Sequence, residues 1–142
     1  MCASMWAGRV SLFCTIIASI NARSTQSTGA TGKLVCDGTP VSNAKVELYT
    51  DRSASPNGLM ATTTTNSTGD FIVKGHSTKY ETFRPHVVIS HHCHSERCER
   101  KFSMMVPDSY TKSGSKPSEL FGLGSVELKR KFPTETKTCP KP

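Results

Sequence analysis

The sequence lacks an apolar run long enough to cross a membrane, which takes about 20 residues as a helix. It is short of acidic charge, with 11 Asp and Glu against 18 Lys and Arg. That balance disfavours cationic partners and points to anionic ones, such as phospholipid head groups, sulfated glycans or acidic proteins. The plainest reading of the same excess is solubility. Few convincing helical stripes occur and no internal repeat is visible, so a helical bundle or solenoid is disfavoured. Catalytic motifs are also missing. Ser67, Asp70 and the histidines supply the atoms of a hydrolase, but neither a nucleophile elbow nor a paired-carboxylate site can be read from their spacing.

The first apolar stretch lies at the N-terminus. Residues 10–20 include Leu12, Phe13, Ile16 and Ile17, carry no charged side chain and follow the single cation Arg9. This is the length of a signal-peptide core, and Ile20-Asn21-Ala22 places a small residue at a cleavage position. A cleaved signal over residues 1–22 is predicted, with Ser19 and Ser24 as alternative cut positions. Its removal takes away only Arg9 among the charged groups, so 18 basic residues become 17 against 11 acidic, a net charge of +6. Nucleic acid suits that charge but not an extracellular compartment.

Cleavage also removes Cys2 and Cys14 and leaves Cys36, Cys93, Cys98 and Cys139. An even set in a short secreted chain is a two-disulfide framework, for which three connectivities exist. Two of these cysteines sit among His91, His92, His94 and Glu96. Inside a cell that cluster would suggest zinc; in an oxidising compartment sulfur pairs with sulfur.

Beyond residue 30 the recurring period is two. Residues 23–30, rich in Ser, Thr and Gly, read as a flexible leader. Strands are predicted near 33–36, 44–49, 59–65, 71–75, 86–92, 100–106 and 120–132. Turn signals fall between them at Asp37-Gly38, Pro56-Asn57-Gly58, Asn66 to Asp70, Pro85 and Pro107. Residues 96–101 could add a brief helical turn, and Pro133 onward reads as a tail that still holds Cys139. Seven short strands with this punctuation specify an antiparallel sandwich.

The order of these segments resembles the transthyretin-like family of secreted proteins expanded in nematodes. The resemblance is carried by Gly32-Lys-Leu-Val-Cys-Asp-Gly38 with Pro40, by Ala44-Lys-Val-Glu-Leu-Tyr49 and by Asn66-Ser-Thr-Gly-Asp-Phe71 with Gly75. It continues through His91-His92-Cys93, Pro107-Asp-Ser-Tyr110, Gly122-Leu-Gly124 with Val126-Glu-Leu128, and Phe132-Pro133 before Cys139. It implies an all-β, prealbumin-like sandwich of seven to eight strands, antiparallel-rich and of Greek-key type, over residues 31–139, with 140–142 as a tail. No general biochemical activity is implied. Related hydroxyisourate hydrolases use a His, an Arg and a C-terminal Tyr-Arg-Gly-Ser tetrapeptide. This chain ends Cys-Pro-Lys-Pro, so the hydrolase reading is disfavoured.

The resemblance also implies a pairing. If the first and last strands run parallel side by side, as that fold implies, Cys36 reaches Cys139 while Cys93 and Cys98 close a short connection. The thiols are then spent and no metal or other cofactor is expected. On an extended strand His92 and His94 share a face and His91 points away, leaving at most a weak copper or zinc site.

Asn66-Ser67-Thr68 is a glycosylation sequon on a predicted exposed turn, and equally a good turn sequence. Lys129, Arg130 and Lys131, with Arg97, Arg100 and Lys101, form a candidate basic patch, though such residues are also the ordinary wet face of strands. The expectation is a secreted or cell-surface binding or adaptor module without enzymatic activity. Its partner would be an extracellular protein, an anionic lipid or a glycan, and an oligomer is compatible with the sequence. The alternatives are a carrier of small hydrophobic ligands, a degenerate hydrolase and a purely structural extracellular role.

Overall fold

In the computed structural model, which describes residues 25–78 and 83–141, ten strands form. They are β1 (Gln26–Cys36), β2 (Thr39–Pro40), β3 (Lys45–Tyr49), β4 (Leu59–Thr64), β5 (Asp70–Ser77), β6 (His86–His91), β7 (Glu99–Met105), β8 (Lys112–Ser113), β9 (Phe121–Glu127) and β10 (Thr136–Thr138). Single turns of 3-10 helix occur at Pro56–Gly58 and Asp108–Tyr110. Among the described residues no helix is long and apolar enough to cross a membrane.

Two sheets face each other. In the first, β1 runs antiparallel to β2, β5 and β8 and parallel to β9. The second has the order β10-β7-β6-β3-β4, with every neighbouring pair antiparallel. The alternation read in the sequence is what fills the space between them. Phe71 and Val73 point inward from β5 while Asp70, Ile72 and Lys74 face solvent. Val46, Leu48, Val87, Ile89 and Phe102 answer from the second sheet, each buried. Full burial of such a side chain stabilises the fold by roughly 2 kcal/mol. Phe132, from the segment after β9, stacks on Phe102 with ring centroids 4.0 Å apart.

One turn requires glycine. Gly69 has φ +80°, and a Cβ there would sit 2.5 Å from the Leu34 carbonyl oxygen. Its neighbour Thr65 accepts from the Ala44 N–H and donates to the Val41 carbonyl, so a buried hydroxyl fixes the approach to β3.

The predicted sandwich is therefore present, with seven long strands and three short ones. Several local expectations are corrected. The expected leader over residues 23–30 overlaps β1, whose residues Gln26 to Lys33 pair with β5. Small residues that suggested looseness are there because β1 is crowded: a Cβ on Gly29 would meet Leu120 at 2.6 Å. Residues 99–101 open β7 and form no helical turn. The strand predicted at 120–132 ends at Glu127, and part of the predicted tail returns as β10, antiparallel to β7. The predicted signal segment, residues 1–22, lies outside the described residues.

The disulfide pairing is also corrected. Cys36 bonds Cys93 and Cys98 bonds Cys139. The parallel neighbours expected of the first and last long strands exist as β1 and β9. Cys139, however, does not follow β9 directly. The intervening chain crosses to the other sheet, where Thr138 registers with Glu99 and so brings Cys139 beside Cys98. Cys36 is left to meet Cys93 from the end of β6, which ties one sheet to the other.

Candidate basic groove at the disulfide end

The C-terminal ends of β1 and β6 and the start of β7 meet at one end of the sandwich. Extended backbone stops at His91, and His94 adopts φ 58° as Asp37 adopts φ 53°, both in the left-handed region that permits tight reversal. The Cys36–Cys93 bond joins these two reversals, and the His94 ring nitrogen Nε2 lies 2.5 Å from the Asp37 carboxylate.

Three histidines expected on one strand thus go three ways. His91 is buried against Phe102, and its Nδ1 accepts from the Cys93 N–H at 3.0 Å. Burial, and then the Arg100 charge, lowers its pKa from 6.5 to about 4, so it is neutral at ordinary pH. His92 turns its Nδ1 to the Cys98 carbonyl oxygen at 2.9 Å. Ligand atoms of Cys36, Cys93 and His94 lie within 4.8 Å of one another. The two sulfurs are bonded together, however, and offer no thiolate to a metal.

Arg100 organises the floor. Its Nε and Nη2 donate to the two carboxylate oxygens of Glu135, each at 2.9 Å. Its remaining donors reach the carbonyls of Cys93 at 2.8 Å and Arg130 at 2.9 Å. Arg100, only 7% exposed, thereby makes four hydrogen bonds with its five N–H donors. The hydrogen bonds from Arg100 hold the Glu135 carboxyl below its ordinary range, against the opposing effect of desolvation.

A second carboxylate shapes the rim. Glu127 accepts from the backbone N–H groups of Asp37, Gly38 and Lys129. Desolvation pushes its pKa up, but those N–H donors and the Lys129 charge together pull it below the usual value.

Around this floor His94, Arg100, Lys129, Lys131, Glu135, Thr136 and Lys137 line an open groove of about 410 Å³. Lys129 lies 3.7 Å from Asp37. Lys131 and Lys137 make no ion pair among the described residues and present their ammonium groups to solvent. Since Arg100 and Glu135 cancel, the groove is left with an excess of positive charge.

Of the predicted basic patch, Lys129, Lys131 and Arg100 line the groove, but Arg100 is committed to Glu135. Arg130 points its guanidinium over the Phe132 ring, 5.9 Å from the centroid. Lys101 lies 3.8 Å from Glu99, and Arg97 is exposed outside the groove. Lys137 and Glu135 were missed. The alternation of β-branched Thr134, Thr136 and Thr138 is the signal that could have placed them on a strand. Asn66 is exposed on its turn, with Oδ1 accepting from Thr68 and Asp70.

The sequence matches the transthyretin-like family over residues 31–107. Three relatives from Caenorhabditis elegans are similar over most of their length. Transthyretin-like protein 5 is 37% identical, covering 81% of this chain and 85% of its own. Transthyretin-like protein 33 is 33% identical over 91% and 92% of the two chains. Transthyretin-like protein 2 is 37% identical over 81% and 83%.

Proposed function

The chain belongs to the transthyretin-like family, and on that premise we propose that it is a secreted, non-enzymatic binding module whose basic groove engages an anionic extracellular partner. The observation that carries this reading is the set of Lys129, Lys131 and Lys137 around a floor whose own charges are neutralised. Lysine ammonium groups are compact, mobile point charges, suited to a row of sulfate or phosphate groups more than to one planar ligand. Among the described residues the exposed large hydrophobic side chains, Leu59, Ile72 and Met105, belong to other parts of the surface, so the groove itself offers charge without an apolar anchor for a bilayer. A sulfated glycan fits that chemistry best. Secretion is supported by the predicted signal at residues 1–22 and by four cysteines paired within the domain. The exposed Asn66-Ser67-Thr68 turn is consistent with N-glycosylation.

Chromatography on immobilised heparin tests the reading. The protein should be retained and should elute at a salt concentration that falls when Lys129, Lys131 and Lys137 are all changed to Ala, because each charge lost weakens a screened interaction. Unchanged retention in the triple variant would remove the groove from the account.

A further inference from the structure

The other end of β6 carries a larger cavity with different chemistry. It holds about 590 Å³ and is lined by Asp51, Arg52, Arg84, His86, Ser103, Met105 and Thr134. That volume lies within the range of pockets that enclose small organic ligands, about 300–1,000 Å³. We infer that this cavity is a binding site for a small organic acid with a short apolar tail.

Its walls follow from strand parity. Val87, Phe102 and Met104 face the core, so His86, Ser103 and Met105 face the opposite side of the same sheet, with His86 registered against Met105. The loop after β3 supplies Asp51 and Arg52 above them, and the residues before β6 supply Arg84.

Two features select the ligand. Arg52 and Arg84 make no ion pair among the described residues, whereas the Asp51 carboxylate accepts from the Ser53 N–H and hydroxyl within its own turn. Guanidinium groups are shaped for carboxylate, which they meet through paired N–H donors. Met105 is 56% exposed and gives the same cavity a flexible apolar wall, of the kind that adapts to alkyl or aryl groups. Of the other polar groups, the Thr134 hydroxyl is committed to the Ser103 backbone, donating to its carbonyl and accepting from its N–H, and the His86 Nδ1–H donates to the Arg84 carbonyl oxygen, while the Ser103 hydroxyl and His86 Nε2 add neutral hydrogen-bonding capacity to the wall. The arginines are the cations in the cavity without an ion pair among the described residues, and so the groups to take an acid, with Met105 the apolar group to take its tail.

Calorimetric titration of the disulfide-bonded protein with octanoate and with octanamide tests the site. Octanoate should bind with one-to-one stoichiometry, about tenfold or more tighter than octanamide. Arg52→Gln and Arg84→Gln together should remove that difference. Met105→Glu, an exposed change that spares the core, should weaken octanoate by repulsion and by loss of the apolar wall. The Lys129, Lys131 and Lys137 triple variant should bind octanoate as the parent does. Equal affinity for acid and amide, or unchanged octanoate binding in the double Arg variant, would overturn the inference.

Discussion

The two ends of β6 are built on opposite plans. At His91 the chain is tied by two disulfides, the Arg100–Glu135 pair is desolvated and hydrogen-bonded, and the free cations are lysines above it. At His86 the free cations are arginines on loops, and the described residues there contain no covalent tie. One end places exposed charge on a rigid floor, while the other places it around a void. A rigid floor with mobile ammonium groups suits an extended polyanion, and a void with guanidinium walls suits a single small acid.

The largest expected effect comes from the Cys36–Cys93 bond, which spans 57 residues. In the chain-entropy model a loop of that size contributes roughly 4 kcal/mol. Changing both cysteines to Ser should lower urea-denaturation stability by about that amount, while Arg52→Gln and Arg84→Gln at the other end should cost less than ~0.5 kcal/mol. Equal losses at the two ends would erase the contrast.

Glu135→Gln comes next. It leaves the Arg100 charge buried without its carboxylate and should cost roughly 3 kcal/mol, the low end for breaking a buried pair. The same urea titration measures it, and a neutral result would mean that Arg100 reaches solvent.

Acid sharpens the comparison further. An unfolded His takes its proton near 6.5, whereas His91 in the fold stays neutral to about 4. The stability held through His91 is therefore fully present above pH 6.5 and declines as pH falls toward 4. Glu135 behaves in the same direction lower down: its contribution is present above the ordinary carboxylate value of 4.5 and is lost as pH drops through its lowered folded value. His91→Gln should flatten the stability profile between pH 6.5 and 4 and leave the Glu135 phase in place. Thermal melts across that range would show it.

The lysines, like the two arginines, should have only a small effect on stability. Changing Lys129, Lys131 and Lys137 to Ala should move the melting midpoint little, since exposed charges contribute within about 1 kcal/mol each, yet it should clearly lower the salt concentration at which the protein leaves heparin. A large drop in stability would make these residues part of the framework.

Much of this was legible in the sequence where one residue type sets one geometry. Alternation placed the strands β3 and β5, with Val46 and Leu48 on the buried face, although Glu47 on the opposite face is buried too, and the turn read at Asn66 to Asp70 leads into β5. The cysteines failed because a pairing is a property of register. Nothing near Cys139 announces that residues 128–135 carry the chain to the second sheet, and the Thr-rich β10 that records the crossing is only three residues long. The basic patch was legible only in part, for the same reason. Arg100, Lys101 and Lys131 look alike in sequence, and only packing shows that Arg100 is spent on Glu135 while Lys131 is free. The arginine-lined cavity had no sequence signal, because Arg52, Arg84 and Met105 come from three separate segments.

Peptide mapping without reduction tests the account most directly, since the groove exists only if β10 is bound beside β7 and Cys93 is drawn to β1. Arg97 lies between Cys93 and Cys98, so tryptic cleavage separates them unless they are bonded. The account predicts one linked pair joining the Cys36 and Cys93 peptides and another joining those of Cys98 and Cys139. Recovery of Cys93 bonded to Cys98, with Cys36 bonded to Cys139, would contradict it.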